Sequence, residues 1–191
     1  MTENPLKKIL QHSANNKHNP KMKKREFANR GLSFENDVDI SNNWYNTNNV
    51  SLIIKRPTPI KVIEFDNNTK RITNAVYEKE STADYNGIYR GRYIDFECKS
   101  TDSKIFRLSN IQAHQMEHLR RVEEHGGISF LLLRVNNFNT VYLIPCSILI
   151  EITDFGKKSI NFDWAKENGV LVREKYAPRI DYIEALDKLL K

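Results

Sequence analysis

The fold of this chain is decided by one seven-residue stretch, Tyr93-Ile94-Asp95-Phe96-Glu97-Cys98-Lys99. Apolar and polar side chains alternate along it, which is the pattern of a β-strand. Such a strand turns Ile94, Phe96 and Cys98 towards a hydrophobic core and its four polar side chains towards the opposite face. We therefore predict a strand that supports the core on one face and carries functional groups on the other.

The polar face of this strand combines with an acidic residue shortly upstream, Asp84. An acid followed after such a gap by Glu-x-Lys is the PD-(D/E)xK pattern, here with Ala83 in place of the proline. Carboxylates gathered in this way favour a hard cation with oxygen ligands, for which Mg²⁺ is the natural choice. Held by Asp84 and Glu97, such an ion could activate water while Lys99 stabilises the charge that develops on a phosphodiester.

A simpler alternative remains open for this motif. Glu-x-Lys is short and degenerate, so taken alone it favours an ordinary amphipathic strand whose polar face is exposed to solvent. The surrounding sequence is what favours phosphodiester hydrolysis over this alternative.

The composition indicates a single folded domain. With 191 residues and 39% apolar side chains, the chain is long and hydrophobic enough to bury a core. Cys98 and Cys146 both lie in apolar runs, so we expect reduced core residues rather than a disulfide. We find no run of membrane-spanning length and no signal-peptide core, which predicts a cytoplasmic protein.

The excess positive charge lies at the N-terminus. The first 30 residues hold eight Lys or Arg against two Glu, whereas the remaining 161 residues hold 22 of each sign. We predict that residues 1–26 form a flexible basic arm that binds phosphate backbones without sequence preference, ahead of a nuclease domain at 27–191. A solubilising tail without a partner is the alternative. The expected DNA contacts near this arm are Lys21, Lys23, Lys24, Arg25 and Arg30.

The first half of the domain is predicted to hold a helix and a hairpin. Apolar spacing predicts a helix over 31–45 with Phe34, Val38, Ser41 and Tyr45 on its inner face and Glu35 beside that face. A strand over 50–55 precedes two alternating runs, 60–65 and 72–77, which form a hairpin stalk at about 57–80. The expected DNA contacts on this stalk are Lys61, Lys70 and Arg71. Asn86-Gly87 predicts a turn, and the strand that carries the site then covers 89–99.

The second half is predicted to alternate helices and strands. Ser109 and Gln112 form a capping box for a helix over 110–125, whose apolar stripe includes one polar residue, Gln115. A buried glutamine needs partners, so it either bonds nearby backbone or serves the site. Strands follow at 128–135 and 140–144, and helices after Pro145, at 163–168 and at 182–190. The fold class is therefore α/β, with a mixed central sheet flanked by helices.

These separated motifs together resemble one family. The matching stretches are Asn29-Arg30-Gly31, Pro57-Thr58-Pro59, Thr82 through Gly87, Tyr89-Arg90-Gly91, Tyr93 through Lys99, Ala113-His114-Gln115, His125-Gly126-Gly127 and Pro178 through Tyr182. The chain resembles the RecU family of bacterial Holliday junction resolvases from about Phe27 to Tyr182. The resemblance implies a restriction-endonuclease-like fold with a projecting β-hairpin stalk and a homodimer that nicks opposed strands of a four-way DNA junction. The recombinase RecA and branch-migration proteins are further expected partners.

The resemblance also assigns roles to residues of the site. It implies Thr82, Asp84, Glu97 and Gln115 as ligands of Mg²⁺, or of Mn²⁺ in its place, and Lys99 as the group that stabilises the transition state. Glu35 and Asp95 are candidate accessory residues. The chain departs from the family pattern at Ala83, at Cys98 and in the loop 100–108, which is about one residue short.

Two other functions compete with nuclease activity. His114, Glu117 and His118 match the H-x-x-E-H motif of a zinc metalloprotease, although no third ligand follows from the spacing. A junction-binding or recombinase-modulating protein without catalysis is the stronger rival, because a basic arm and a hairpin could bind DNA alone. The intact Asp84, Glu97 and Lys99 favour the enzyme.

Overall fold

The structure, a computed structural model, describes residues 20–78 and 81–190, with side chains from residue 34 onward. These residues form helices α1 (Pro20–Thr47), α2 (Ala113–Glu124), α3 (Cys146–Asp154), α4 (Phe162–Asn168) and α5 (Tyr182–Leu189). They also form strands β1 (Leu52–Lys55), β2 (Ile60–Asp66), β3 (Arg71–Tyr77), β4 (Tyr85–Tyr89), β5 (Arg92–Thr101), β6 (Ile105–Arg107), β7 (Ile128–Val135), β8 (Thr140–Pro145), β9 (Ser159–Asn161), β10 (Val170–Glu174) and β11 (Ile180–Asp181). Among these described residues no helix is long and apolar enough to span a membrane.

A mixed sheet of seven strands forms the centre of the fold, in the order β1-β4-β5-β7-β8-β10-β11. The central pair β5 and β7 is parallel, with α2 in the connection between them, and the other pairs are antiparallel. The predicted α/β class with a mixed sheet flanked by helices is therefore confirmed.

Helices cover both faces of the sheet, which gives the protein two cores. One core joins α1 and α5 to Ile94 and Phe96 of β5, and the other joins α2, α3 and α4 to Leu131 and Leu133 of β7. The inner face predicted for α1 is confirmed, because Phe34, Val38, Ser41 and Tyr45 are all buried. Burial on both faces of β5 means that its two acidic side chains, Asp95 and Glu97, lie inside the molecule rather than at its surface.

The hairpin of β2 and β3 stands apart from this body. Its strands pair with each other in a separate two-stranded sheet, and every residue of the two strands except Asp66 is exposed. The strands and the turn between them agree with the predicted runs at 60–65 and 72–77.

The predicted starts of two helices were wrong, and several short strands were not predicted. Helix α1 begins at Pro20 rather than near Gly31, because proline is favoured at a first helical position and no glycine or further proline interrupts residues 21–30. Helix α2 begins after Gln112, because Leu108–Asn110 form a 3₁₀ turn and the buried Ile111 is extended; the capping box is therefore Gln112 with Gln115. The pattern analysis also missed four short strands. β10 and β11 extend the main sheet, whereas β9 pairs with β6, which lies in the segment predicted as the loop 100–108.

The predicted turn at Asn86-Gly87 was also wrong, since both residues lie within β4. The turn is formed instead by Arg90 and Gly91, which have φ values of 49° and 74°. The glycine at position 87 allows β1 and β4 to lie close together. A Cβ there would lie 2.0 Å from the carbonyl oxygen of Leu52 and 2.6 Å from Cα of Ile53.

Replacing Gly87 with alanine is accordingly expected to lower the free energy of unfolding by about 2 kcal/mol or more, since the added methyl meets backbone that cannot move aside. Gly156→Ala is a matched control, because Gly156 has a positive φ of 83° but open space around its Cβ position. We expect that variant to lose only about 1 kcal/mol. Urea denaturation measures both values, and equal losses would contradict the assigned strand contact.

Candidate active site

The register between β4 and β5 places the two predicted acids together. Asp84 immediately precedes β4, whose first residue, Tyr85, pairs with Phe96 of β5. Because the two strands are antiparallel, one step back from Tyr85 corresponds to one step forward from Phe96, and Asp84 therefore lies beside Glu97. One carboxylate oxygen of Asp84, Oδ2, accepts a 2.8 Å hydrogen bond from the backbone N–H of Cys98. Antiparallel pairing thus fixes the spacing of two acids that are distant in sequence.

Glu97 is completely buried and is held by two donors on one of its oxygens. Its Oε1 accepts hydrogen bonds from Nζ of Lys99 and, at 2.8 Å, from Nε2 of Gln115. Its Oε2 is buried and has no hydrogen-bond partner among the described residues. An ionised carboxylate with one buried, unpartnered oxygen is costly unless a positive group approaches it.

Burial also shifts the pKa values of these groups. Burial raises the pKa of Glu97 to about 7, with a further contribution from the negative charge of Asp84. Burial likewise raises the pKa of Asp84, against the opposing hydrogen bond from Cys98 N–H. Burial opposes the charge of Lys99, but attraction to Glu97 and Asp84 outweighs it and raises the lysine pKa. One lysine therefore does not neutralise both acids, and the site favours additional positive charge.

The donor set fits a hard divalent cation. Asp84 and Glu97 supply carboxylate oxygens, and one oxygen of Glu97 accepts no hydrogen bond from the part of the chain that the structure describes. The described residues contain no group of three or more His, Cys, Asp or Glu side chains in metal-binding geometry. A site with two carboxylates suits Mg²⁺ in particular, since this ion commonly keeps waters and binds substrate phosphates besides one or two carboxylates.

Gln115 reaches the site from the first turn of α2. Its Nε2 donates to Glu97, and its Oε1 accepts a 3.0 Å hydrogen bond from the backbone N–H of Gln112. The buried amide therefore serves both the site and the backbone, which were the two alternatives considered for it. In this arrangement it orients the glutamate, and its role as a metal ligand stays a prediction.

Thr82 and Asp95 belong to a second cluster next to the carboxylate pair. Asp95 is fully buried, and its Oδ2 accepts from the Tyr93 hydroxyl at 2.9 Å and contacts Nε2 of His118 at 2.8 Å. Nη2 of Arg56 donates to the same oxygen at 2.5 Å, and Nη1 of Arg56 donates to Oγ1 of Thr82. The sequence analysis did not predict that Arg56 and His118 contact Asp95. The available signal was the position of Arg56 directly before the Pro57-Thr58-Pro59 motif.

Glu35 lies at the edge of the site on α1. Its Oε2 is 2.7 Å from Nζ of Lys55, a residue of β1 that sequence reasoning also missed. Besides burial, the negative charge of Glu35 contributes to the raised pKa of Asp84. Its role as an accessory residue stays a prediction.

The zinc-protease motif is not assembled in the structure. Nε2 of His114 contacts the carbonyl oxygen of Ser81 at 2.9 Å, whereas His118 contacts Asp95. Glu117 is exposed and bonds Nε of Arg121 at 3.0 Å. The three side chains thus serve three different partners, which contradicts a shared zinc ion.

The predicted DNA contacts lie elsewhere. Lys61, Lys70 and Arg71 are exposed on the hairpin, and the structure does not bring them to the carboxylates. Lys21, Lys23, Lys24, Arg25 and Arg30 have helical backbone in α1, but their side chains lie outside the described part of the structure, as do residues 1–19 of the predicted arm.

Comparisons of the sequence with a family model and with known relatives identify one family. The family model described as "RecU: Recombination protein U" matches residues 29–188. The Holliday junction resolvase RecU of Bacillus cytotoxicus is 38% identical over 175 residues, covering 87% of this chain and 88% of the relative. The Holliday junction resolvase RecU of Bacillus thuringiensis strain Al Hakam is 37% identical over 182 residues, covering 91% of each. Among solved structures, Archaeoglobus fulgidus Hjc, a Holliday junction resolvase, matches with a TM-score of 0.46 and 15% identity over 73% of this chain and 93% of its own.

The raised pKa of Glu97 predicts a pH-dependent stability of the metal-free protein. An acid with a higher pKa in the folded state binds more protons there, so its contribution to stability is largest below its ordinary value of 4.5 and falls as the pH rises to about 7. The expected loss across this window is on the order of 2 kcal/mol. Denaturation in a chelator at several pH values measures this slope, and Glu97→Gln should flatten it.

Glu184→Gln is the matched control for this measurement. Hydrogen bonding to Lys175 lowers the pKa of Glu184 to about 2, so this residue stays ionised throughout the same pH window. In the unfolded chain this residue is ionised above its ordinary value of 4.5, so the control should keep the wild-type slope over most of the window, between about pH 5.5 and 7. An unchanged slope in Glu97→Gln would contradict the burial of an ionisable pair at this site.

Proposed function

Because the chain belongs to the RecU family, we propose that it is a Mg²⁺-dependent endodeoxyribonuclease that resolves Holliday junctions in homologous recombination and DNA repair. The observation that carries this proposal is that the half-buried Asp84 and Lys99 meet the fully buried Glu97, one of whose carboxylate oxygens has no hydrogen-bond partner among the described residues. Acidic side chains with a purely structural role are rarely buried side by side when their charge is not fully neutralised.

The side chains of the site take different roles in this reaction. When bound, Mg²⁺, or Mn²⁺ in its place, supplies activation of the attacking water and neutralisation of phosphate charge. Asp84 and Glu97 hold the ion, with Thr82 and Gln115 as further candidate ligands. Lys99 stays protonated because its pKa is raised, and from its contact with Glu97 it stabilises the charge that develops on the scissile phosphate.

The assembly follows from the chemistry of a four-way junction. Symmetric nicking of two opposed strands requires two equivalent sites, which a homodimer with a two-fold axis provides. We further propose RecA and branch-migration proteins as partners, and the bacterial cytoplasm at the nucleoid as the location. Junction binding without catalysis is the competing function, and the complete set of acid, acid and lysine disfavours it.

The hairpin is the proposed reader of junction shape. Its exposed strands carry little core of their own, and the basic side chains Lys61, Lys70 and Arg71 lie on its surface. A projection of this kind can enter the open centre of a branched substrate. The basic N-terminal arm, in contrast, would add affinity for any DNA, because contacts to phosphates carry little information about branching.

The first expected outcome concerns catalysis. The wild-type protein should nick a labelled four-way junction symmetrically in Mg²⁺ and bind it uncut in a chelator, because the basic surfaces bind without metal. Asp84→Asn and Glu97→Gln should keep junction affinity and lose cleavage by on the order of 10²-fold or more. Asp154→Asn, which alters an exposed carboxylate paired with Arg120, should cleave as the wild type does. Undiminished cleavage by either site variant would overturn the assignment of the site.

The second expected outcome concerns the hairpin. Replacing residues 61–76 with a short Gly-Ser turn keeps the pairing of Ile60 with Tyr77 and the 3.2 Å hydrogen bond from Glu78 N–H to the Pro59 carbonyl. Because the removed residues are exposed, the variant should fold and bind metal. We expect it to lose its preference for a junction over a duplex of equal length in competition binding. An unchanged preference would mean that branching is read by another surface.

A further inference from the structure

Arg56 contacts two residues of the predicted metal site, Thr82 and Asp84. Arg56 follows β1 directly, and its backbone N–H donates to the carbonyl oxygen of Asp84 at 2.7 Å. Its guanidinium Nη1 donates to Oγ1 of Thr82. The same residue thus holds Asp84 through the backbone and Thr82 through its side chain.

The guanidinium is itself anchored to a buried acid. Its Nη2 lies 2.5 Å from Oδ2 of Asp95, whose side chain is 0% exposed while that of Arg56 is 23% exposed. The Tyr93 hydroxyl and Nε2 of His118 contact the same carboxylate oxygen. Asp95 is therefore held from three directions, and the planar fork of an arginine can span two acceptors with little loss of freedom.

The contact between Arg56 and Thr82 also closes the base of the hairpin. The hairpin lies in the segment between β1 and β4, and the bond from the guanidinium to the Thr82 hydroxyl joins the two ends of this segment. The hairpin strands pair with each other and are exposed, so their packing does little to fix the position of Thr82. The backbone on either side of Thr82 is held by the contact of Nε2 of His114 with the Ser81 carbonyl and by the burial of Ala83, whereas the Thr82 hydroxyl itself bonds Arg56.

We infer that Arg56 is a positioning residue, which Asp95 holds so that the Thr82 hydroxyl and the Asp84 backbone are fixed beside the carboxylate pair. This inference rests on the proposed function, since it concerns the site for the divalent cation. Asp95 then acts through Arg56 and is not a ligand itself. Such outer contacts orient the groups that bind a metal, and their loss typically weakens metal affinity 10- to 100-fold.

Metal binding by the DNA-free protein tests this directly. Binding of Mn²⁺, followed by loss of the electron paramagnetic resonance signal of the free ion, should weaken about 10-fold or more in Arg56→Gln. Asp95→Asn should weaken it similarly, and Tyr93→Phe less, because the phenylalanine removes one of three contacts to Asp95. Arg134→Gln is the matched control: Arg134 is 13% exposed and pairs with Asp37 at 2.9 Å, so it should lose stability without losing Mn²⁺ affinity.

A double-mutant cycle separates positioning from general destabilisation. If Arg56 acts through Thr82, then Arg56→Gln should weaken Mn²⁺ binding little further in a Thr82→Ala background. Thermal unfolding of each variant shows that it is folded, and Tyr93→Phe keeps the test available if Arg56→Gln does not fold. Fully additive effects, or wild-type Mn²⁺ affinity in Arg56→Gln, would overturn the inference. Wild-type Mn²⁺ affinity together with weakened junction binding would identify Arg56 as a phosphate contact instead.

Cleavage assays on the same proteins keep this inference distinct from the proposed function. If the wild-type protein does not nick junctions although Arg56→Gln weakens Mn²⁺ binding, then the proposed function fails and the positioning role stands. If the wild type nicks junctions, Asp84→Asn does not, and Arg56→Gln binds Mn²⁺ as the wild type does, then only the positioning role fails.

Discussion

The antiparallel register between β4 and β5 is the constraint on which the rest of the site depends. It sets Asp84 beside Glu97, and a slip of one residue would turn the acids to opposite faces of the sheet. A stack of aromatic rings holds the register from the core side, with centroids 5.0 Å apart for Tyr85 and Phe96 and 4.6 Å apart for Phe96 and Phe130. Packing on one face of β5 thereby places the chemistry on the other.

The cost of burying two acids explains much of what surrounds them. Lys99, the backbone N–H of Cys98 and the amide of Gln115 each stabilise negative charge, and all three come from elements that the sheet already positions. One oxygen of Glu97 nevertheless has no hydrogen-bond partner among the described residues. Burial and the charge of Asp84 keep the pKa of Glu97 high, although Lys99 and Gln115 lower it. The fold thus favours a cation by leaving the neutralisation of the pair incomplete. Arg56 and Asp95 extend the same arrangement outward to the base of the hairpin.

Local patterns predicted the parts of the structure that depend on local chemistry. The alternation in β5, the inner face of α1 and the hairpin follow from periods of two and 3.6 residues, and all three are present. Local periodicity could not show why residue 87 is a glycine, because the reason is the close approach of β1 to that position. The contacts of Arg56 with Asp95 and Thr82 join residues up to 39 positions apart, so only the folded sheet reveals them. The site acids were predicted from their motif, whereas the groups that orient them were mostly not.

The central claim is that Asp84 and Glu97 form one site for a divalent cation. Crystals of the wild-type protein grown with Mn²⁺ test it most directly, because anomalous scattering locates this ion without reference to any assumed ligand. The account predicts a Mn²⁺ peak between the two carboxylates, at roughly 2.0 to 2.4 Å from an oxygen of each, and no such peak in crystals of Glu97→Gln. A well-occupied Mn²⁺ site elsewhere in the protein, with none between Asp84 and Glu97, would contradict it.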